Sequence, residues 1–188
     1  LARGPRFRLE AEAIRDGALA VSGLLDVRVG GAPVFPPQPE GVWALPNSAD
    51  VAWPTSAAPD RHRRSLYTFW RRTAPYPSAQ ILDAPSRETC VVRRDRTVGP
   101  LQALVTLNDA VFWDAARKQA GEAAGPRGWI TRAHQLVTTR VPDQRTLDRL
   151  VALYEKRLAA SAGADASSEA LALVASTLLN LHEFLTRT

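Results

Sequence analysis

Pro100-Leu101-Gln102-Ala103-Leu104-Val105-Thr106-Leu107-Asn108-Asp109-Ala110-Val111-Phe112-Trp113-Asp114-Ala115-Ala116 is the stretch whose reading decides the fold class. Proline suits a first helical position, because its missing N–H would be unpaired there anyway. Leu101, Leu104, Val105 and Leu107 recur at helical spacing and predict an apolar face. Asn108-Asp109 breaks that helix and caps a new one, on which Val111, Phe112, Ala115 and Ala116 resume the face. Downstream, Gly125-Pro126 ends the pair. Trp129, Ile130, Ala133, Leu136 and Val137 then predict a further helix, and Pro142-Asp143 caps the next, with Leu147, Leu150, Val151 and Tyr154 on one side. A small polar connection, Ser161 to Ser168, leads to a last helix carrying Leu171, Val174, Leu178, Leu181 and Leu185 in register. Three antiparallel helices with short loops over residues 127–187 predict a compact bundle.

Upstream, Leu9 to Leu25 has the apolar spacing of an amphipathic helix. Gly17 and Gly23 weaken it by up to about 1 kcal/mol each relative to alanine, and mark a neighbour's close approach. Between Asp26 and Asp60 ten prolines and glycines rule out a continuous helix or a central strand. Val34, Phe35, Val42, Trp43, Leu45, Val51 and Trp53 are expected to pin this stretch to the helices as ordered coil. Arg61 to Thr73 is open between a short helix and a short strand. Ile81-Leu82 and Cys90-Val91-Val92 suit short extended segments. The expected fold is therefore mainly α and a single domain: a helix within 1–25, a Pro/Gly/Arg-rich coil with short strands wrapping it over 26–99, and a helical bundle over 100–188 that ends in three helices.

At 188 residues such a chain buries roughly 70% of its unfolded surface, so it folds without metal or disulfides. Its 45% hydrophobic and 23% charged content is that of a globular protein rather than a disordered one. No apolar run reaches the roughly 20 residues that span a bilayer. The chain starts at Leu1 and contains no methionine, which suggests a piece of a longer product. The single cysteine, Cys90, cannot form an internal disulfide, so the redox compartment stays open. The net charge of +5 rests on 22 arginines and two lysines, Lys118 and Lys156. Such a balance permits polyanion binding, although arginine- and alanine-rich coding composition accounts for it more simply.

Candidate chemistry concentrates in the middle of the chain. Arg64, Tyr67 and Trp70 set cations beside aromatic faces, and Ser86, Arg87, Glu88, Arg93, Arg94 and Arg96 follow. Guanidinium forks match carboxylate and phosphate oxygens, so this block suits a sugar, an acidic polymer or a single strand of nucleic acid. The competing and favoured reading pairs the arginines with Asp83, Glu88, Asp95 and Asp109 to fasten coil to helix. His62, His134 and His182 lack metal-ligand spacing and read as structural or surface residues. Cys90 lies near Arg87, Arg93 and Arg94, which lower a thiol pKa. It lacks a visible base, and Val91-Val92 suggest a buried, inert thiol. Nucleophile-elbow, phosphate-loop, EF-hand and dinucleotide fingerprints are absent.

Several blocks together resemble a known family: Ile14-Arg15-Asp16 with Ser22-Gly23-Leu24-Leu25, Arg63-Arg64-Ser65-Leu66-Tyr67-Thr68-Phe69-Trp70-Arg71-Arg72-Thr73-Ala74-Pro75, Asp83-Ala84-Pro85-Ser86-Arg87-Glu88-Thr89-Cys90, Arg93-Arg94-Asp95-Arg96-Thr97, Leu107-Asn108-Asp109 and Leu179-Asn180-Leu181. They resemble the domain of unknown function at the C-terminal end of planctomycete cytochrome-c-like proteins. The resemblance implies an exported, multidomain parent and hence a periplasmic or secreted location, with this chain starting partway into the family domain. It implies that the parent's missing N-terminal domains are partners. Haem c would belong to those domains, since no Cys-x-x-Cys-His occurs here and no cofactor is expected in this chain. Two departures stand out: Gly99 replaces a common threonine before Pro100, and Tyr76 stands where relatives place histidine. The function expected is a non-catalytic accessory or interaction module meeting neighbouring domains, an extracellular polymer or a redox partner. The alternative is a component of an extracellular enzyme acting on glycans or other complex polymers. Nucleic-acid binding ranks last, for want of a groove-reading motif.

Overall fold

The computed structural model describes residues 6–39, 52–72, 74–120, 125–161 and 163–187. Helices dominate it, as expected: α1 (Ala11–Val21), α2 (Pro77–Ile81), α3 (Pro100–Asn108), α4 (Ala110–Ala120), α5 (Pro126–Thr138), α6 (Gln144–Ala160), α7 (Ala166–Leu179) and α8 (His182–Leu185). Two two-residue strands, β1 (Phe7–Arg8) and β2 (Thr186–Arg187), pair antiparallel and tie the two ends of the described chain together.

The centre of the fold is α7. Residues 170–181 carry no charge, and Ala170, Leu171, Ala172, Val174, Ala175, Ser176, Leu178 and Leu179 are all buried. A helix apolar on every side is stable only inside a core. It packs most extensively against α4, then α6, α5 and α3. Buried alanines on both partners, Ala115 and Ala116 on α4 and Ala172 and Ala175 on α7, allow the close approach. The three-helix bundle of α5, α6 and α7 is present, with α4 as an additional wall. Asp143 caps α6 by accepting from the Thr146 N–H at 2.7 Å.

The last helix does not run on to Leu185. Asn180 stops α7 because its side-chain amide donates to the Ser176 carbonyl at 2.8 Å, while its oxygen accepts the Thr106 hydroxyl of α3 at 2.5 Å. A short polar side chain bonding backbone in this way competes with helix propagation. The two glycines of the first helix have separate reasons. A Cβ on Gly17 would lie 3.3 Å from the Phe184 ring of α8, whereas Gly23 has φ +74° and nothing near it. The first admits a neighbour; the second ends α1 in the left-handed region.

The coil-rich stretch is ordered by backbone bridges and aromatic packing. Val34 N–H donates to the Tyr67 carbonyl and its own carbonyl accepts from Phe69, both at 2.8 Å. Phe35 stacks on Phe69 with centroids 4.8 Å apart, and Trp53 stacks on Tyr76 at 5.6 Å. Val42, Trp43, Leu45 and Val51 lie outside the described residues. Between Arg61 and Trp70 the chain forms two single 3₁₀ turns, Asp60–His62 and Ser65–Tyr67. Neither extended segment forms. Pro77 opens a short helix through Ile81, and Cys90 to Val92 are exposed coil and bends.

The largest departure from expectation is α3. Leu101, Leu104 and Leu107 are 63%, 53% and 41% exposed, while Gln102 and Thr106 are buried. Polar pairing sets this orientation. Gln102 Nε2 donates to Thr97 Oγ1 at 2.9 Å and to Asp83 at 3.3 Å, and Thr106 meets Asn180. Rotating the leucines inward would strand these buried groups, and an unmade buried hydrogen bond costs roughly 1–3 kcal/mol. At the start of α3, Gly99 is extended and offers no side-chain cap, with open space around its Cα. Gly99→Ser should therefore raise unfolding stability by a few tenths of a kcal/mol in urea denaturation, the usual difference between Ser and Gly at this position.

Candidate functional site

Three arginines hold the irregular segments, and each is buried: Arg8, Arg15 and Arg63 are 7%, 6% and 5% exposed. Arg8 starts in β1 and reaches the Leu82 and Thr97 carbonyls and the Asp83 carboxylate. Arg15 projects from α1 onto the carbonyls of Arg61 at 2.8 Å and Arg63 at 2.9 Å. Arg63 in turn donates to the carbonyls of Arg28, Gly30 and Ala32. A guanidinium has five donors in a planar fork, so one side chain can satisfy several coil carbonyls that secondary structure leaves unpaired.

The residues expected from sequence to bind a ligand fall into separate places. Tyr67 lies 3.8 Å beneath the Arg63 guanidinium and accepts the Gly30 N–H at 2.8 Å. Trp70 donates its indole N–H to the Ser86 carbonyl at 3.0 Å, and Arg87 covers the Trp70 ring at 4.7 Å. Arg94 joins Glu10 at 3.0 Å and Glu12 at 2.8 Å, at the start of α1. Arg96 sits over the Phe7 ring and 4.0 Å from Glu10. Arg64, Glu88 and Arg93 are exposed. Of the acidic partners anticipated, Asp83 takes Arg8, and Asp109 bonds Ser78 and the Val111 N–H rather than an arginine.

Only Trp70 and Arg87 of that set line a cavity of about 30 Å³ between α1, α2 and the start of α4. Its polar lining also includes Arg15, Tyr76 and Asp109, and its apolar lining includes Leu82 and Phe112. Burial pushes the Asp109 carboxyl above the usual carboxylate range, against the hydrogen bonds from Ser78 and Val111. Burial, with Asp109 nearby, likewise raises the Tyr76 hydroxyl. It lowers the Arg15 guanidinium. Three ionisable groups thus share a space in which burial disfavours the charged form of each. Composition and periodicity could not assemble this group, because Arg15, Tyr76 and Asp109 lie on distant segments. Asp109 was legible only as a helix cap, and Tyr76 only as a departure from the family.

His134 is buried at the end of α5, with its Nδ1 2.9 Å from the Arg140 carbonyl, and His182 is exposed. Cys90 is exposed rather than buried: the extended segment expected at Cys90-Val91-Val92 is coil and bend, and both valines also face solvent. Among the described residues no group of three His, Cys, Asp or Glu side chains could hold a metal ion, and no helix is long and apolar enough to cross a membrane.

The family model of PSD1, protein of unknown function (DUF1553), matches residues 1–154. The chain belongs to this family. The DUF1553 match contains the arginine block, the cavity and all but the last turns of α6, while α7 lies beyond it. No curated protein and no solved structure matches the chain.

Two of these contacts generate measurable expectations. Burial raises the Asp83 carboxyl, but hydrogen bonds from the Thr97 backbone and side chain and the Arg8 charge outweigh it and leave the group below its usual range. Asp83→Ala strands the buried Arg8 and should cost about 3 kcal/mol in chemical denaturation, and Asp83→Asn, which keeps the Thr97 contacts and tolerates φ +60°, roughly half of that. His62 is buried beside Arg61, whose Nε donates to its Nε2 at 3.3 Å. Burial first, then the Arg61 charge, hold the imidazole below its ordinary 6.5. The unfolded chain therefore binds this proton more readily. The contribution is fully present above 6.5 and is lost as pH falls below it. Thermal melts between about pH 7.5 and 5.5 should show that decline, with a shallower slope in His62→Gln.

Proposed function

We propose that this DUF1553 chain is a non-catalytic interaction module, and that the outward face of α3 is the surface it presents to another domain. The supporting observation is the run Thr97 to Asn108, which has no charged residue in a chain that is 23% charged. It exposes Val98, Leu101, Leu104 and Leu107, and the three-residue spacing of the leucines sets them along one side of α3. Contiguous exposed apolar side chains mark association surfaces, whereas scattered ones do not. The absence of charge favours an equally uncharged, apolar partner face, since a charge buried there would go unpaired.

The setting we propose follows from the resemblance: an exported, cytochrome-c-linked polypeptide, with the module extracytoplasmic, any haem c in another domain, and that other domain as the partner of α3. A role within an extracellular enzyme acting on polymers is supported less, because the arginine block is dispersed over separate contacts. In a Cys90→Ser background, a Leu104→Cys thiol should react freely with a maleimide in the isolated chain. It should be shielded by about tenfold or more in the intact parent polypeptide, as expected of a site at the centre of an interface. Leu101→Ser/Leu104→Ser should leave the melting temperature of the isolated chain nearly unchanged, since exposed substitutions stay within about 0.5 kcal/mol. Equal labelling in both contexts would discard the proposal.

A further inference from the structure

Away from the end of α7 that meets α3 through Asn180, a groove of about 590 Å³ opens between α4, α6 and α7. Helical spacing puts its walls in place. Trp113 and Arg117 stand four residues apart on α4, and Asp165, Glu169 and Ala172 follow one face from the cap of α7 onward. Arg157 reaches in from α6 and pairs with Glu169 at 3.1 Å. That pair is exposed, so it contributes little to folding.

Two of these groups are not used by the fold. Trp53, Trp70 and Trp129 each donate the indole N–H to a backbone carbonyl, at 2.6, 3.0 and 2.9 Å. Trp113, half-buried at the groove, makes no such bond among the described residues. Its ring is also the most loosely covered of the described cation–aromatic pairs. Arg117 lies 5.7 Å from its centroid, whereas Arg63, Arg87 and Arg96 lie 3.8, 4.7 and 4.6 Å from theirs. Asp165 is the second. It occupies the cap position of α7, where an aspartate ordinarily accepts a helix N–H, yet its carboxylate accepts none.

The groove's chemistry narrows what fits it. Two guanidinium groups and two carboxylates balance, so a phosphate, a sulfate or an acidic sugar would meet Asp165 and Glu169 as well as the arginines. A neutral pyranose suits the set better. Its C–H-rich face is attracted to the negative face of an indole ring. Its edge hydroxyls both donate and accept, as a guanidinium beside a carboxylate requires. The volume falls within the roughly 300–1,000 Å³ of small-molecule sites, which leaves room for a whole sugar ring.

We propose that this groove binds a neutral sugar, without chemistry on it. The sugar ring lies against Trp113, one pair of hydroxyls meets Arg157 and Glu169, and another hydroxyl donates to Asp165. The site stands independently of the α3 surface and would give an interaction module a second, small-molecule contact.

The test is a titration of the ¹⁵N-labelled chain with the methyl glycosides of glucose, galactose and mannose, and with glucuronate, inorganic phosphate and adenosine. It is followed at the indole N–H resonances, where the Trp113 signal is the one absent in Trp113→Phe. At least one neutral glycoside should shift that signal saturably, and more tightly than glucuronate, phosphate or adenosine. Because Trp113 is partly buried, the deciding variant is Asp165→Ala, at an exposed position that caps nothing through its side chain. It should keep the melting temperature and weaken binding by about tenfold, the scale of one hydrogen bond to a charged group. No saturable shift with any neutral glycoside, tighter binding of glucuronate, phosphate or adenosine, or unchanged affinity in Asp165→Ala would each overturn the assignment.

Discussion

The structure depends on guanidinium groups that serve as substitutes for secondary structure. Between α1 and α3 the described chain has few regular backbone hydrogen bonds, yet it packs against a core. Carbonyls brought out of water need donors. Arg15 supplies them from α1, Arg8 from β1, and Arg63 from within the coil itself, so that Arg15 holds the carbonyl of Arg63 while Arg63 holds those of residues 28 to 32. This relay ties the described residues 28 to 32 and 61 to 63 together and to α1. It also explains why arginine rather than lysine is used, since an ammonium lacks the fork that spans two carbonyls.

The same need to satisfy buried polar groups decides the outer surface. Gln102 and Thr106 are turned inward to meet Thr97, Asp83 and Asn180, and the leucines of α3 are turned out as a consequence. A helix on which polar pairing prevails over leucine burial makes physical sense if its apolar face is covered by something else. The helix beneath it, α7, shows the opposite balance: an uncharged helix enclosed by α3, α4, α5 and α6. Among the described residues the fold thus has an enclosed apolar centre at α7 and an exposed apolar face on α3.

The cavity lies where the two systems meet. Arg15 belongs to the relay, Asp109 links α3 to α4, and Tyr76 belongs to the aromatic group that orders the coil. Burial is the first cause of each altered ionisation, and the charges of the three groups act on one another beside it. Sequence reasoning placed the functional arginines between positions 64 and 96. Arg94 and Arg96 do fasten coil to α1 through Glu10 and Glu12. The deepest guanidinium groups, however, are Arg8, Arg15 and Arg63, and only the last lies next to that block.

The sequence alone determined α1 and α3 to α7, but not α2, read as extended, nor the separate α8, because local signals decide the longer helices. Pro100 and Asp143 start helices, Gly125-Pro126 separates α4 from α5, Asp109 divides α3 from α4, and the uncharged run in α7 requires burial. Within the described part of the coil, the expected anchors Val34, Phe35 and Trp53 do pack or pair. Only the tertiary structure decided which face of α3 turns inward, where α7 ends, and which arginines are buried. Each of these is settled by a hydrogen-bond partner tens of residues away: Thr106 by Asn180, Arg8 by Leu82 and Thr97, Arg15 by Arg61 and Arg63. Periodicity reports apolar area along one segment, and it carries no information about a donor on another.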